Sequence, residues 1–155
     1  KGWLKSARHE LINRHGEIVA RVNHLSFWNN DVEVDAPGNR WTFARRGQFS
    51  GRHVQIRSLA TGEQIATYYY RMTKPGLLEF EDGRTYTWER GNLWGSQWAW
   101  LDAEEKPLVG FSQYGTFQLS SGVHLGEGAE DDRSLPLLIF LGWYLVLLNT
   151  QDSSG

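Results

Sequence analysis

Along most of this chain, hydrophobic and polar residues alternate in short runs, and polar turn residues interrupt the runs. A strand has a side-chain period of two, so Trp41 and Phe43 fall on one face, as do Tyr86 with Trp88 and Trp98 with Trp100. The runs come in pairs. ELINRHGEIVARV (10–22) places Asn13, His15 and Gly16 between two β-rich halves. DVEVDAPGNRWTFARR (31–46) turns at Pro37-Gly38-Asn39, and HVQIRSLATGEQIATYYYRM (53–72) turns at Thr61-Gly62. LLEFEDGRTYTWER (77–90) contains Asp82-Gly83, a strong hairpin signal. QWAWLDAEEKPLVGFSQYG (97–115) turns over 102–106, and Pro107 opens the next run. The succession lacks the fixed period of a propeller or solenoid. It predicts a mainly β domain, a closed antiparallel barrel of roughly ten to twelve strands over about residues 10–120. Closure would also remove exposed strand edges.

The pattern breaks at LPLLIFLGWYLVLL (135–148), which has neither charge nor alternation. It follows GEGAEDDRS (126–134), a polar, acidic loop. Ser134 suits a helix cap and Pro136 the first turn, while Asp131 and Asp132 suit the positive end of a helix dipole. Asn149 suits a helix end, so the expected helix covers 136–148. About fourteen residues at about 1.5 Å each reach roughly 20 Å, short of a hydrocarbon core about 30 Å thick. An interfacial helix would also carry one polar face. A helix apolar all round is one buried on every side. A wide barrel needs its lumen filled, and a helix about 10 Å across fills it. The expectation is therefore a buried central helix inside one domain spanning 1–155, with no transmembrane span.

Composition narrows the functional classes. Sixteen Lys and Arg against eighteen Asp and Glu give a net charge of −2, which predicts no general attraction to nucleic acid. With no Cys there is no disulfide and no thiol catalysis, and a reducing cytoplasm is permitted. The first residues, KGWLKSARHE, lack the apolar core of a signal peptide. Eight Trp and seventeen Gly in 155 residues suit pleated surfaces and tight turns.

No catalytic motif survives inspection. His9 and His15 bracket a Glu, but a zinc-protease helix needs histidines four apart. Gly47-Gln48-Phe49-Ser50-Gly51 puts its Ser one place late for a nucleophile elbow. Glu127, Glu130, Asp131 and Asp132 lack the spacing of a calcium loop. No metal, cofactor or catalytic residue is expected. An enzyme would need His53 or His24 to converge with carboxylates in a pocket. The paired aromatics suit a core, with a stacking platform as the alternative.

The best functional candidate is basic. Arg40, Arg45, Arg46, Arg52, His53 and Arg57 fall in a stretch without acids over 39–57, interleaved with Trp41, Phe43 and Phe49. The planar fork of Arg matches phosphate oxygens. Arg45-Arg46 precede Gly47 at a strand end, where a loop can present them.

The hairpin WAWLDAEEKPLVGF (98–111) and the helix LPLLIFLGWYLVLL resemble the units of the tubby C-terminal-like superfamily, which includes tubby proteins, phospholipid scramblases and LURP-one-related proteins. The resemblance is architectural and covers nearly the whole chain. It implies a barrel of about twelve strands around a central helix. It also implies a non-catalytic role in binding an anionic lipid head group or in regulation. The scramblases' cysteine cluster has no counterpart here, which disfavours lipid scrambling. The expected partner is an anionic phospholipid or a protein, in the cytoplasm and peripheral to a membrane. A pure protein-interaction module would instead use Trp3, Trp28 or Trp94.

Overall fold

The computed structural model describes the backbone of residues 8–12, 18–24, 31–36, 38–47, 51–71, 73–91, 97–111 and 123–154. Side chains are described within these from residue 31 to 146, and at Leu148. The chain is mainly β, with one long C-terminal helix among the described residues. It divides into two compact units, Lys1–Thr85 and Tyr86–Gly155.

The first unit is an antiparallel meander. Its strands are β1 (Arg8–Ile12), β2 (Ile18–His24), β3 (Val32–Ala36), β4 (Asn39–Arg46), β5 (His53–Ser58), β6 (Gln64–Tyr69) and β7 (Gly76–Phe80), and each pairs with the one before it. The alternation read from the sequence sets which face is buried. Val32, Val34, Trp41, Phe43, Val54, Ile56, Tyr68 and Leu78 are buried, and their neighbours in sequence largely face out. The cross-strand pairs Val34 with Trp41, Phe43 with Ile56, and Val54 with Tyr68 place these residues side by side.

The turns lie where the punctuation put them. At Thr61-Gly62, Gly62 N–H donates to the Ser58 carbonyl at 2.7 Å and Glu63 N–H to Thr61 Oγ1 at 3.2 Å. At Asp82-Gly83, Gly83 N–H donates to the Phe80 carbonyl, and Asp82 Oδ1 accepts from Arg84 N–H. The turn expected at Asn13, His15 and Gly16 lies outside the described residues.

The second unit holds the strands β8 (Thr85–Arg90, beginning at the division), β9 (Trp98–Leu101), β10 (Pro107–Phe111) and β11 (Val123–Leu125). β9 pairs with β8, and β10 with both β9 and β11, all antiparallel. Asp102 organises the β9–β10 turn: its Oδ1 accepts from the N–H groups of Glu104 and Lys106, both at 2.9 Å. A 3-10 turn (Ala129–Asp131) then leads into α1 (Leu135–Ser154).

α1 starts one residue before the expected point and runs six residues past Leu148. No Gly or Pro interrupts NTQDSS, and a single Asn costs a helix only about 0.7 kcal/mol. The segment before it is more ordered than a solvated loop. Ala129 is fully buried, and the Asp132 carboxylate accepts from Tyr86 O–H at 2.9 and 3.0 Å and from Ser134 N–H at 2.7 Å. Ser134 occupies the cap position, its carbonyl accepting from Leu138 N–H at 2.9 Å.

Leu137, Leu138, Phe140, Leu141, Trp143, Tyr144, Leu145, Val146 and Leu148 are all buried, which covers the full circumference of the helix. Within its unit α1 packs on β9 and β10. Among the described residues no helix is long and apolar enough to cross a membrane. Two features dock α1. Trp100 Nε1 donates to the Leu138 carbonyl at 2.8 Å, and Gly142 lies where a Cβ would run into the Phe111 ring and come 3.0 Å from Trp100 Nε1.

Among the described residues each strand pairs only with its neighbours in chain order, and no pairing closes the sheet. Closure into a barrel is therefore not among the described pairings. Closure depends on strand tilt and stagger, which alternation does not encode.

Substituting Gly142→Val should overpack this seat and destabilise the protein by about 1–3 kcal/mol. Urea unfolding monitored by tryptophan fluorescence reads this as a lower midpoint. An unchanged midpoint would mean the helix does not dock through Gly142.

Candidate functional site

The acid-free stretch spans β4 and β5, and the register of this pair divides it. Arg46 stands opposite His53, Thr42 opposite Arg57, and Leu59 N–H donates to the Arg40 carbonyl. At about 3.3 Å per residue, Arg40 and Arg46 lie about 20 Å apart along β4. Arg40 and Arg57 therefore belong to one end of the sheet. Arg45, Arg46, Arg52 and His53 belong to the other.

At the first end the arginines are engaged locally. Arg40 Nη2 donates to Glu33 Oε2 at 2.9 Å, and its Nε lies 3.9 Å from Asp35 Oδ1. The hydrogen bond and charge of Glu33 hold the Arg40 pKa above its ordinary value, with Asp35 adding to the effect against partial desolvation. Arg57 is exposed and donates to the Gly62 carbonyl at 3.4 Å. Acids crowd this end: Asp35, Glu63, Glu81 and Asp82 flank its turns, and Asp82 holds Arg84 at 3.0 Å.

Arg46 makes a two-pronged contact with Asp31, Nη1 to Oδ1 at 2.8 Å and Nη2 to Oδ2 at 2.9 Å. Arg45 shares the face of Trp41 and Phe43 and is half-buried. The Arg52 guanidinium lies 6.0 Å from the centre of the Tyr70 ring. The His53 ring sits 6.5 Å from that of Tyr69, with Nδ1 2.9 Å from the Gly51 carbonyl.

Reading the sequence alone missed the second loop at this end. Tyr70 N–H donates to the Arg52 carbonyl at 3.2 Å, so the β6–β7 connection (70–75) leaves the sheet beside the β4–β5 connection. It carries Arg71 and Lys74, both exposed. Arg71 Nε donates to the Pro75 carbonyl at 2.6 Å, which ties the loop across its base. Burial pushes the Tyr68 phenol up, Tyr70 adds to that shift, and the Arg71 charge opposes it. A signal for this loop was present, since 64–78 also lacks acids. Among the described residues, the ends of β4–β7 on this side carry no carboxylate, and Asp31 approaches from β3.

The other candidates resolve into packing or fall outside the described residues. Trp88 stacks on Trp98 at 5.5 Å and 8°, and contacts Trp100 at 4.7 Å and Phe111 at 5.4 Å. Arg90 covers Trp98 at 5.3 Å, so these rings pack on one another. His9 lies on strand β1, where no helical His pair can form, and His15 is outside the described residues. Gly47 and Gly51 join two strands of a hairpin, whereas a nucleophile elbow leads into a helix. Glu127, Glu130 and Asp131 are exposed. No group of three or more His, Asp or Glu able to hold a metal ion occurs among the described residues. Phe49, Trp3, Trp28 and Trp94, and the side chain of His24, lie outside the described set. Comparison with protein-family models, curated proteins and solved structures finds no match for this chain.

The Arg46–Asp31 pair is partly exposed, at 42% and 19%. Replacing Asp31→Asn should therefore change unfolding free energy by about 1 kcal/mol or less. A loss well above that in chemical denaturation would make the pair a structural strut rather than a surface ion pair.

Proposed function

We propose that this chain is a non-catalytic binding domain that recognises an anionic, phosphate-bearing ligand through the basic end of its first unit. The observation that carries this reading is the β4–β5 register, which gathers Arg45, Arg46, Arg52 and His53 at one hairpin end and leaves Arg40 and Arg57 at the other. In this mechanism the guanidinium forks of Arg45 and Arg52 hold phosphate oxygens by paired, charge-assisted hydrogen bonds. Arg46 adds its fork when phosphate competes with Asp31. The rigid β ladder behind these residues limits the ordering cost of binding. The ligand favoured here is the head group of an acidic phospholipid, which places the domain peripherally at a cytoplasmic membrane surface.

We propose a tubby-like architecture alongside this role, in which the strands close as one domain around α1. The antiparallel meanders and the all-round burial of α1 support that reading. A purely protein-binding role draws less support. The exposed large apolar residues of the described set, Leu59, Tyr69 and Leu125, are scattered over separate strand ends and turns.

Co-sedimentation with neutral and anionic vesicles, at low and high salt, tests the proposal. The expected result is binding to anionic vesicles alone, fading as salt rises. Basic residues near an acidic surface contribute about 1 kcal/mol each, so Arg45→Gln with Arg52→Gln should weaken binding roughly thirtyfold. Asp31→Asn should strengthen it. Salt-insensitive binding to both vesicle types would indicate insertion of α1, and absence of binding would rule out the lipid ligand.

A further inference from the structure

Asp82-Gly83 is the only Asp-Gly pair in the chain, and Asn-Gly does not occur. It forms the turn that follows β7, over Phe80–Arg84 in the first unit. Before Gly, an Asp side chain meets no Cβ on the next residue, so its Cγ can approach the next backbone nitrogen. Gly83 has a φ of +97°, and no heavy atom lies within 4 Å of where a Cβ would stand. Asp82 Oδ1 accepts from Arg84 N–H at 3.1 Å, which folds the carboxyl group back over the Asp82-Gly83 peptide. Cγ, Cβ, Cα and the carbonyl carbon of Asp82, with the Gly83 nitrogen, all lie inside the loop that this bond closes. Those five atoms become a succinimide ring if Cγ and the nitrogen join. Two contacts oppose the joining. Gly83 N–H donates to the Phe80 carbonyl at 2.9 Å, which holds the nitrogen. Arg84 Nε lies 3.1 Å from Oδ1 and 3.0 Å from Oδ2, so it grips both carboxylate oxygens, and its guanidinium sits 4.2 Å from the centre of the Phe80 ring.

We propose that Asp82-Gly83 is a modification site, at which the folded chain converts spontaneously to isoaspartate, and that Arg84 restrains the conversion. In the first step the Gly83 nitrogen bonds to Asp82 Cγ. One carboxyl oxygen leaves as water, carrying the Gly83 proton and one proton taken up from solvent. In the second step water adds to the Asp82 main-chain carbonyl carbon, whose bond to the Gly83 nitrogen breaks. The nitrogen recovers a proton, and the new carboxyl group releases one to solvent. One water leaves and one enters, so the conversion needs no oxidant, reductant or co-reactant. Arg84 acts on the first step, because the departing oxygen must give up its contact with Nε. The Asp82 and Arg84 side chains are 46% and 32% exposed, so water reaches the ring for the second step. The product carries one more backbone carbon between positions 82 and 83. The turn is closed by Gly83 N–H to the Phe80 carbonyl and by Phe80 N–H to the Arg84 carbonyl, both at 2.9 Å, and the longer path must bulge or give up one of them.

Storage of the full chain at neutral pH and physiological temperature tests the proposal. Digestion with an endoproteinase that cuts before Asp but not before isoaspartate then reads the conversion at position 82. The wild type should convert slowly, and Arg84→Gln about threefold faster, the scale of an exposed ion pair. Arg84→Lys keeps a cation within reach of the carboxylate and should fall between the two. An unchanged urea midpoint certifies each variant as folded. Equal rates in the wild type and Arg84→Gln would overturn the restraint. Rates raised equally by Gln and Lys would mean that the turn has merely loosened, which overturns it as well. The chain unfolded in guanidinium gives the rate without any fold. If the folded wild type and Arg84→Gln both stay unconverted while the unfolded chain converts, the fold closes the site and the proposal fails.

Discussion

An apolar helix with no polar face has to be covered, and in the second unit the cover is anchored at Trp100. Its indole N–H donates to the Leu138 carbonyl from the middle of β9. A carbonyl has two lone pairs, so Leu138 accepts this bond while keeping its helical one. The bond gives the buried indole its partner and sets the height of α1 over the sheet. Gly142, one turn on, lets Phe111 and Trp100 approach the helix backbone. At the other end of the same unit, Asp132 binds both the Tyr86 hydroxyl and the Ser134 N–H, which joins β8 to the start of the helix. Three polar contacts and one missing side chain thus position an element whose own surface is nearly featureless.

The first unit follows a different logic. Its buried face is aliphatic and aromatic, and its other face and loops carry charge. The charges are sorted by end. Acids and arginines cancel where Glu33, Asp35 and Asp82 meet Arg40 and Arg84. Bases gather where the β4–β5 and β6–β7 loops emerge together. The sorting by end, rather than the net charge of −2, sets where bases stand together.

Much of this was legible in the residues. Period-two alternation in Arg40-Trp41-Thr42-Phe43 and Tyr86-Thr87-Trp88 identified buried faces, and Asp82-Gly83 and 102–106 identified turns. The absence of a polar face on 135–148 foretold its burial. What could not be read was register. The six basic residues of 40–57 look like one cluster in sequence, yet antiparallel pairing sends two of them to the far end. The same pairing brings in Arg71 and Lys74, which are remote along the chain from Arg45. The helix also outran its expected end, because Asn149 permits a stop without enforcing one.

The most direct test of this account is amide hydrogen exchange along α1 in aqueous solution without lipid. If the helix is a core element, the amides of 139–146 exchange among the slowest in the second unit and open only with its global unfolding. Exchange there as fast as in the 103–106 turn would mean that α1 is not held in the core, contradicting the fold described for that unit.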